Sequence, residues 1–184
     1  MKDFTEKTLS SEKIFEGRII NLQVDDVELP NGKTSKREII KHPGAVAIIA
    51  VTPEDKIVMV RQYRKALEKT IVEIPAGKLE KDEAPIQTAE RELEEETGYK
   101  CCALQYITSF YTSPGFADEL VHLYFTDQLE KLEESAGTDE DEFVEVVEVT
   151  IDEAFQLIRE KQIYDAKTAY AVQYMQLKQV LKGL

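Results

Sequence analysis

The sequence predicts an α+β fold of the layered α/β/α kind, a mixed sheet between helices, with a separate antiparallel sheet at the N-terminus. Three observations point there. Strand-like runs fill the first half of the chain, one amphipathic helical segment interrupts them, and two helical segments close the chain without a βαβ alternation. With 184 residues, 42% of them hydrophobic and 32% charged, the chain can bury a sizeable core.

The elements follow in order. RIINLQVDDVELP (18–30) reads as a strand, Asn31-Gly32 as a hairpin turn and SKREIIKH (35–42) as the returning strand. Pro43 and Gly44 then punctuate the chain, which places a boundary near residue 43 between an N-terminal sheet (1–43) and a main domain (44–184). AVAIIAV (45–51) and IVMVRQY (57–63) form a second hairpin around Pro53-Glu54-Asp55. From Ala84 to Thr97 the apolar residues Ile86, Ala89 and Leu93 recur at helical spacing, and Gly98 supplies the stop. ALQYITSFY (103–111) and ELVHLYFTDQL (119–129) are strands around a Ser113-Pro114-Gly115-Phe116 turn. A polar acidic loop (130–142), a strand FVEVVEV (143–149) and helices over 151–162 and 166–181 complete the chain.

Composition excludes several roles. A formal charge of −13 disfavours a general nucleic-acid surface, which depends on many Lys and Arg contacts to phosphate. An anionic small substrate would need local help from a basic pocket or a bound cation. No run of 18 apolar residues occurs and MKDFTEKTLSSEK has no apolar core, so the expectation is a cytoplasmic protein without a membrane span. The two cysteines, Cys101 and Cys102, are adjacent, which fits a reducing compartment and not a structural disulfide.

The segment GKLEKDEAPIQTAERELEEETGY (77–99) poses the chemical question, because a helix former is loaded with charges that repel one another. Glu92 and Glu96 stand one turn apart, on the shoulder of the stripe made by Ile86, Ala89 and Leu93, and Glu95 flanks them. A like-charged pair at this spacing is unfavourable, and more so when partly desolvated. A charged helix is ordinarily a solvated face. Here, however, EIPA (73–76) leads through Gly77 into the helix, a geometry that brings backbone close to a ligand, and Arg91 interrupts the acids. Oxygen-only carboxylate clusters select hard cations, and a few carboxylates plus substrate phosphates is the usual Mg²⁺ arrangement.

The spacing Gly77, Glu83, Arg91-Glu92-Leu93, Glu95-Glu96, Gly98-Tyr99 resembles the signature box of the Nudix hydrolases, GX5EX7REUXEEXGU, with Tyr99 where an aliphatic residue is usual. The resemblance implies a loop–helix–loop that binds Mg²⁺ or Mn²⁺ and cleaves a pyrophosphate joining a nucleoside to another group. Carried over by position, Glu92 and Glu96 are the principal metal ligands, Glu95 or Glu83 assists, and the carbonyl of Ala76 is a further ligand. Arg91 holds the box by pairing with a carboxylate such as Glu83.

Pro114, 16 residues beyond Gly98, resembles the marker of the ADP-ribose pyrophosphatase subgroup, as do Arg37-Glu38, Gln62-Tyr63-Arg64, EIPAG and Glu119. The resemblance implies that Arg37 and Arg64 face the diphosphate or terminal ribose, that Glu38 and Lys41 line the nucleoside side, and that Ser113, Pro114 and Gly115 with Glu119 hold the terminal ribose. Lys78 joins the substrate contacts. Glu140 falls at the catalytic-base position beside Glu95 and Arg91 of the box, and Glu142 at a metal-associated one, an assignment in which the two acids can exchange. The chain has no tryptophan to stack on a base, which leaves Arg18, Ile19 or Phe15 for that role. The resemblance further implies a homodimer that exchanges its N-terminal sheet. The expected activity is Mg²⁺-dependent hydrolysis of ADP-ribose to AMP and ribose 5-phosphate. Cleavage of another nucleoside diphosphate sugar, or ligand sensing without cleavage, are the alternatives.

Overall fold

The structure is a computed structural model that describes residues 3–133 and 143–182. Its chain contacts group into two compact units, one of residues 1–44 with 109–121 and one of 45–108 with 122–184. The segment Ser109–Val121 therefore groups with the N-terminal residues, whereas a division at residue 43 assigns it to the main domain.

The first unit holds a three-stranded antiparallel sheet of β1 (Lys7–Glu16), β2 (Asn21–Glu28) and β3 (Thr34–Lys41), in that order. The Asn31-Gly32 turn closes β2 on β3, with Gly32 at φ +77° and Leu29 N–H donating to Lys33 O at 2.7 Å. A positive φ of this kind costs least at glycine. β1 has no counterpart in the sequence reading. Every one of its residues is exposed, so it lacks the apolar alternation by which a half-buried strand is recognised. The 109–121 segment is tied to β3: Ile40 N–H donates to Phe116 O at 2.7 Å, and Asp118 N–H returns to Ile40 O at 3.2 Å.

The second unit is built on β4 (Ala45–Val51) and β5 (Ile57–Arg64). Strand β12 (Val144–Val149) pairs with β5 antiparallel, as does β6 (Lys69–Glu73), while β7 (Ala76–Lys78) pairs with β4. The strand order continues from β4 to β10 (Leu120–Thr126) and β9 (Gln105–Tyr111). The single strand expected over 119–129 divides in two, because the chain bends after Thr126 and resumes as β11 (Leu129–Lys131) against β8 (Tyr99–Cys101).

β4 is buried along almost its whole length, which explains its unbroken apolar sequence. One face, with Val46, Ile48 and Ala50, packs on Ala89 and Leu93 of α1 (Pro85–Thr97), with Val58, Tyr99 and Tyr124 completing the cluster. Full burial of a leucine such as Leu93 contributes on the order of 1.5–3 kcal/mol. The other face carries α2 (Ile151–Arg159) and α3 (Ala166–Lys182), where Phe125 and Tyr174 meet at a centroid distance of 6.3 Å. α1 ends at Gly98 in the left-handed region, as predicted. Its buried face is rotated from the predicted stripe. Ile86, in the first turn, is 41% exposed, and Glu96 is buried with Ala89 and Leu93. Among the described residues no helix is long and apolar enough to cross a membrane.

Tyr99 packs in this cluster and donates from its hydroxyl to Glu148 Oε1 at 2.6 Å. That hydrogen bond, reinforced by burial, pushes its pKa up to about 12. A raised pKa means that the folded state holds the proton more tightly. The contribution is therefore complete below the unfolded value of about 10 and disappears as pH rises through the folded one. An alkaline absorbance titration should show one of the eight tyrosines ionising late, near pH 12, and this late step should vanish in Tyr99→Phe. A folded protein whose tyrosines all titrate together would disprove the coupling.

Candidate active site

The acidic helix resolves its own repulsion through Arg91. Its Nη1 lies 2.9 Å from Glu92 Oε1 and 2.8 Å from Glu95 Oε2, and its Nη2 lies 3.1 Å from Glu83 Oε2. Three carboxylates thus share one planar guanidinium, whose pKa is raised first by the Glu83 hydrogen bond and further by Glu95 and Glu92 against the opposing effect of burial. Glu83 is in turn held below the usual carboxylate range by Arg91, and also accepts from buried Thr88 Oγ1 at 2.9 Å. Thr88 is wholly buried on α1 next to Ala89, whereas its neighbour Gln87 is exposed.

Glu96 is only 6% exposed, and its Oε2 accepts from Ala76 N–H at 2.9 Å. The expected contribution of Ala76 was its carbonyl; what the fold fixes directly is this N–H. The contact arises because β7 is held against β4 with Ala76 opposite Ala47, which delivers Ala76 to the helix face. Gly77 follows. A Cβ built there would lie 1.9 Å from Glu92 Cδ and 2.1 Å from its Oε1, so it is the missing side chain at Gly77 that leaves this carboxylate its place.

Among the described residues no three His, Cys, Asp or Glu side chains encircle a point at metal-ligand distance. A guanidinium nitrogen stands between Glu92 and Glu95 instead. The donor set nonetheless fits a hard divalent cation. It is oxygen-only, it remains net negative after Arg91 is counted, and Gly77 keeps open the space in which Glu92 sits. Glu92, Glu95 and Glu96 would hold the ion, with Ala76 beside them. Lys78, at the exposed end of β7, pairs in register with Ala45.

Arg64, expected at the substrate, is at the end of β5 and donates from Nε to Glu73 Oε2 at 2.6 Å. Glu73 is 3% exposed and also pairs with Lys167 at the start of α3. The sequence reading passed over both partners, although a glutamate inside an apolar strand was the available signal.

In the first unit the expected residues do not form one face. Arg37 and Lys41 lie on one side of β3 and Glu38 on the other, because successive strand residues alternate. Arg37 is engaged by Glu6, with Nε to Oε2 at 2.8 Å and Nη2 to Oε1 at 2.5 Å, so in this structure a carboxylate occupies the fork expected to meet the diphosphate. Lys41 Nζ is 2.9 Å from Asp118 Oδ2, and Asp118 Oδ1 accepts from His42 N–H at 2.8 Å. Glu119 accepts from Thr112 Oγ1 at 2.5 Å, with His42 Nε2 at 3.9 Å. Ser113 accepts from Phe116 and Ala117 N–H, leaving Pro114 and Gly115 exposed at the tip, with nothing within 4 Å of a Cβ at Gly115. Arg18 and Ile19 are exposed in the β1–β2 bend, and Phe15 lies over Gly17. Glu140 and Glu142, the expected base and metal-associated acid, lie outside the described residues.

The box helix, the glycine beneath it and the layered sheet define a Nudix domain. The chain belongs to that family: residues 41–171 match the NUDIX domain and residues 6–40 match the nucleoside diphosphate sugar hydrolase N-terminal domain. It is 66% identical over 181 residues to the methanol dehydrogenase activator of Bacillus methanolicus, covering 98% of each chain. It is also 64% identical over 183 residues to the ADP-ribose pyrophosphatase of Bacillus subtilis (strain 168), covering 100% of this chain and 99% of that protein. A solved structure described as an ADP compounds hydrolase shares the fold, with a TM-score of 0.83 at 20% identity over 100% of this chain and 98% of that one.

The geometry at Gly77 makes a sharp prediction. Gly77→Ala displaces the Glu92 carboxylate, a flexible side-chain end, while leaving the sheet intact. Isothermal titration should therefore show Mg²⁺ or Mn²⁺ binding weakened by about 10- to 100-fold, with the thermal midpoint of the metal-free protein nearly unchanged. Undiminished metal affinity would refute the placement of Glu92.

Proposed function

We propose that the chain hydrolyses ADP-ribose, consuming one water and releasing AMP and ribose 5-phosphate, with Mg²⁺ as the working cation and Mn²⁺ as a substitute. The observation that carries the chemistry is the convergence of Glu92, Glu95 and Glu83 on Arg91 beside buried Glu96. Glu92, Glu95 and Glu96 would hold a divalent cation there, which would supply charge neutralisation of a diphosphate and acidification of a water. Glu96 holds its carboxylate against Ala76 N–H, Glu92 occupies the space above Gly77, and Arg91 keeps the acids together when no other cation is bound. Arg64 supplies positive charge to the diphosphate. The choice of ADP-ribose is supported by the full-length similarity to an ADP-ribose pyrophosphatase.

The proposed state is a cytoplasmic homodimer that exchanges its N-terminal sheets. β1 supports this reading, since a ten-residue edge strand exposing Leu9, Ile14 and Phe15 each by more than half calls for a partner. Light scattering should then give twice the chain mass of 21.0 kDa; a monomer at micromolar concentration would exclude it.

A second reading, that this chain acts on another enzyme and not on a sugar nucleotide, is favoured by the relative named as a methanol dehydrogenase activator. Product analysis separates the readings. Incubation with ADP-ribose and a panel of nucleoside diphosphate sugars should give Mg²⁺-dependent AMP and ribose 5-phosphate, fastest from ADP-ribose. Glu96→Gln keeps an acceptor for Ala76 N–H yet loses a charge at the metal, so turnover should fall at least about 100-fold with the fold retained. Unchanged turnover in that variant would sink the metal assignment, and absence of any product would favour the second reading.

A further inference from the structure

Glu73 is an ionisable side chain with 3% exposure, at the end of β6 and three residues before Ala76. A carboxylate this deep is costly unless it is paired, and Glu73 is paired twice, with Arg64 through Oε2 and with Lys167 through Oε1. Lys167 is itself 3.0 Å from Asp165 Oδ1, which also accepts from Thr168 N–H at 3.1 Å at the start of α3. Thr168, wholly buried, then accepts from Ile74 N–H through Oγ1 at 3.1 Å. The first turn of α3 therefore fixes both the charge of Glu73 and the backbone that leads into Ala76 and Gly77.

The consequence falls on Arg64. Among the described residues it donates only through Nε, so Glu73 sets the plane of its guanidinium while both Nη atoms stay available to an anion. Burial is the largest single influence on Arg64 and opposes its charge, but the hydrogen bond and charge of Glu73 together with the charges of Glu96 and Asp165 exceed it, so its pKa is raised. Three residues after Glu73, Ala76 N–H meets Glu96 of the box, so the strand that orients Arg64 is the one that leads into the box. Stability alone does not account for the arrangement, since well-packed apolar residues serve a core as well as a buried ion pair does.

We propose that Glu73, braced by Lys167, is a positioning residue that aims the Nη fork of Arg64 at the diphosphate of the substrate. The inference rests on the reading of Arg64 as a diphosphate contact in a hydrolase. It assigns a role in substrate recognition to two residues that touch no substrate, one on β6 and one on α3. A bidentate fork held at fixed orientation binds a phosphate better than a free arginine, because less conformational freedom is lost on binding.

The test is a double-mutant cycle in the full-length protein, with steady-state kinetics on ADP-ribose at saturating Mg²⁺. Glu73→Gln should raise KM about tenfold with little change in kcat, the pattern expected when binding common to substrate and transition state is lost. In an Arg64→Ala background the same substitution should have no further effect, because the residue through which Glu73 acts is gone. Losses that simply add would overturn the inference while leaving the hydrolase reading intact. If melting curves show that Glu73→Gln does not fold, the pair Glu73→Gln with Lys167→Met removes both buried charges together. It should reproduce the KM increase, again only when Arg64 is present, and a wild-type KM in that folded pair would refute the role. A wild type that cleaves no member of the sugar-nucleotide panel would overturn the hydrolase reading and this inference with it.

Discussion

One guanidinium among clustered carboxylates is the interaction on which the site depends. α1 must be helical for Ala89 and Leu93 to reach the sheet, and that same period brings Glu92, Glu95 and Glu96 together beside the buried face. Arg91 makes this sequence compatible with a folded chain by meeting Glu83, Glu92 and Glu95 at once. It does not neutralise them. The residual negative charge, with Glu96 buried close by, is of the kind a divalent cation would satisfy. Folding and chemistry thus make opposed demands on one helix, and the compromise is a site that stays assembled with its own cation and remains attractive to another.

The surroundings of the helix serve the same end through backbone placement. β7 is too short to contribute much core, yet its pairing with β4 puts Ala76 N–H against Glu96 and Gly77 under Glu92. The first turn of α3 secures the approach to β7 through Thr168 and Ile74. Elements far apart in the chain therefore converge on four residues, 73–76, that precede the box. In the first unit, Asp118 has an analogous part, joining Lys41 to the backbone of His42 and so fixing the turn that carries Pro114 and Gly115. Two relatives that match nearly the whole chain bear different names, one for a pyrophosphatase and one for an activator.

Much of this was legible without coordinates. The hairpins closed at Asn31-Gly32 and Pro53–Asp55, the helix ending at Gly98 and the gathering of carboxylates on the box helix all follow from local chemistry, because turn conformations and helical period depend on residues near one another in sequence. β1 was not legible, because strand recognition relies on a buried face that β1 does not have. The partners of Arg37 and Arg64 were not fixed by sequence either, since Glu6 and Glu73 meet them only through the tertiary arrangement.

Sequence by itself determined the reaction class, because the spacing of Gly77, Glu83, Arg91, Glu92, Glu95 and Glu96 is a one-dimensional statement of which charges one helix and its loop must gather. Only the tertiary structure decided how each charge is satisfied. It buried Glu96 and not Ile86, directed the N–H of Ala76 to a carboxylate, and gave Arg64 a fixed orientation through Glu73 and Lys167. The physical reason is that desolvation and pairing are set by neighbours in space, and a residue's neighbours across a sheet or beneath a distant helix are not written in its local sequence.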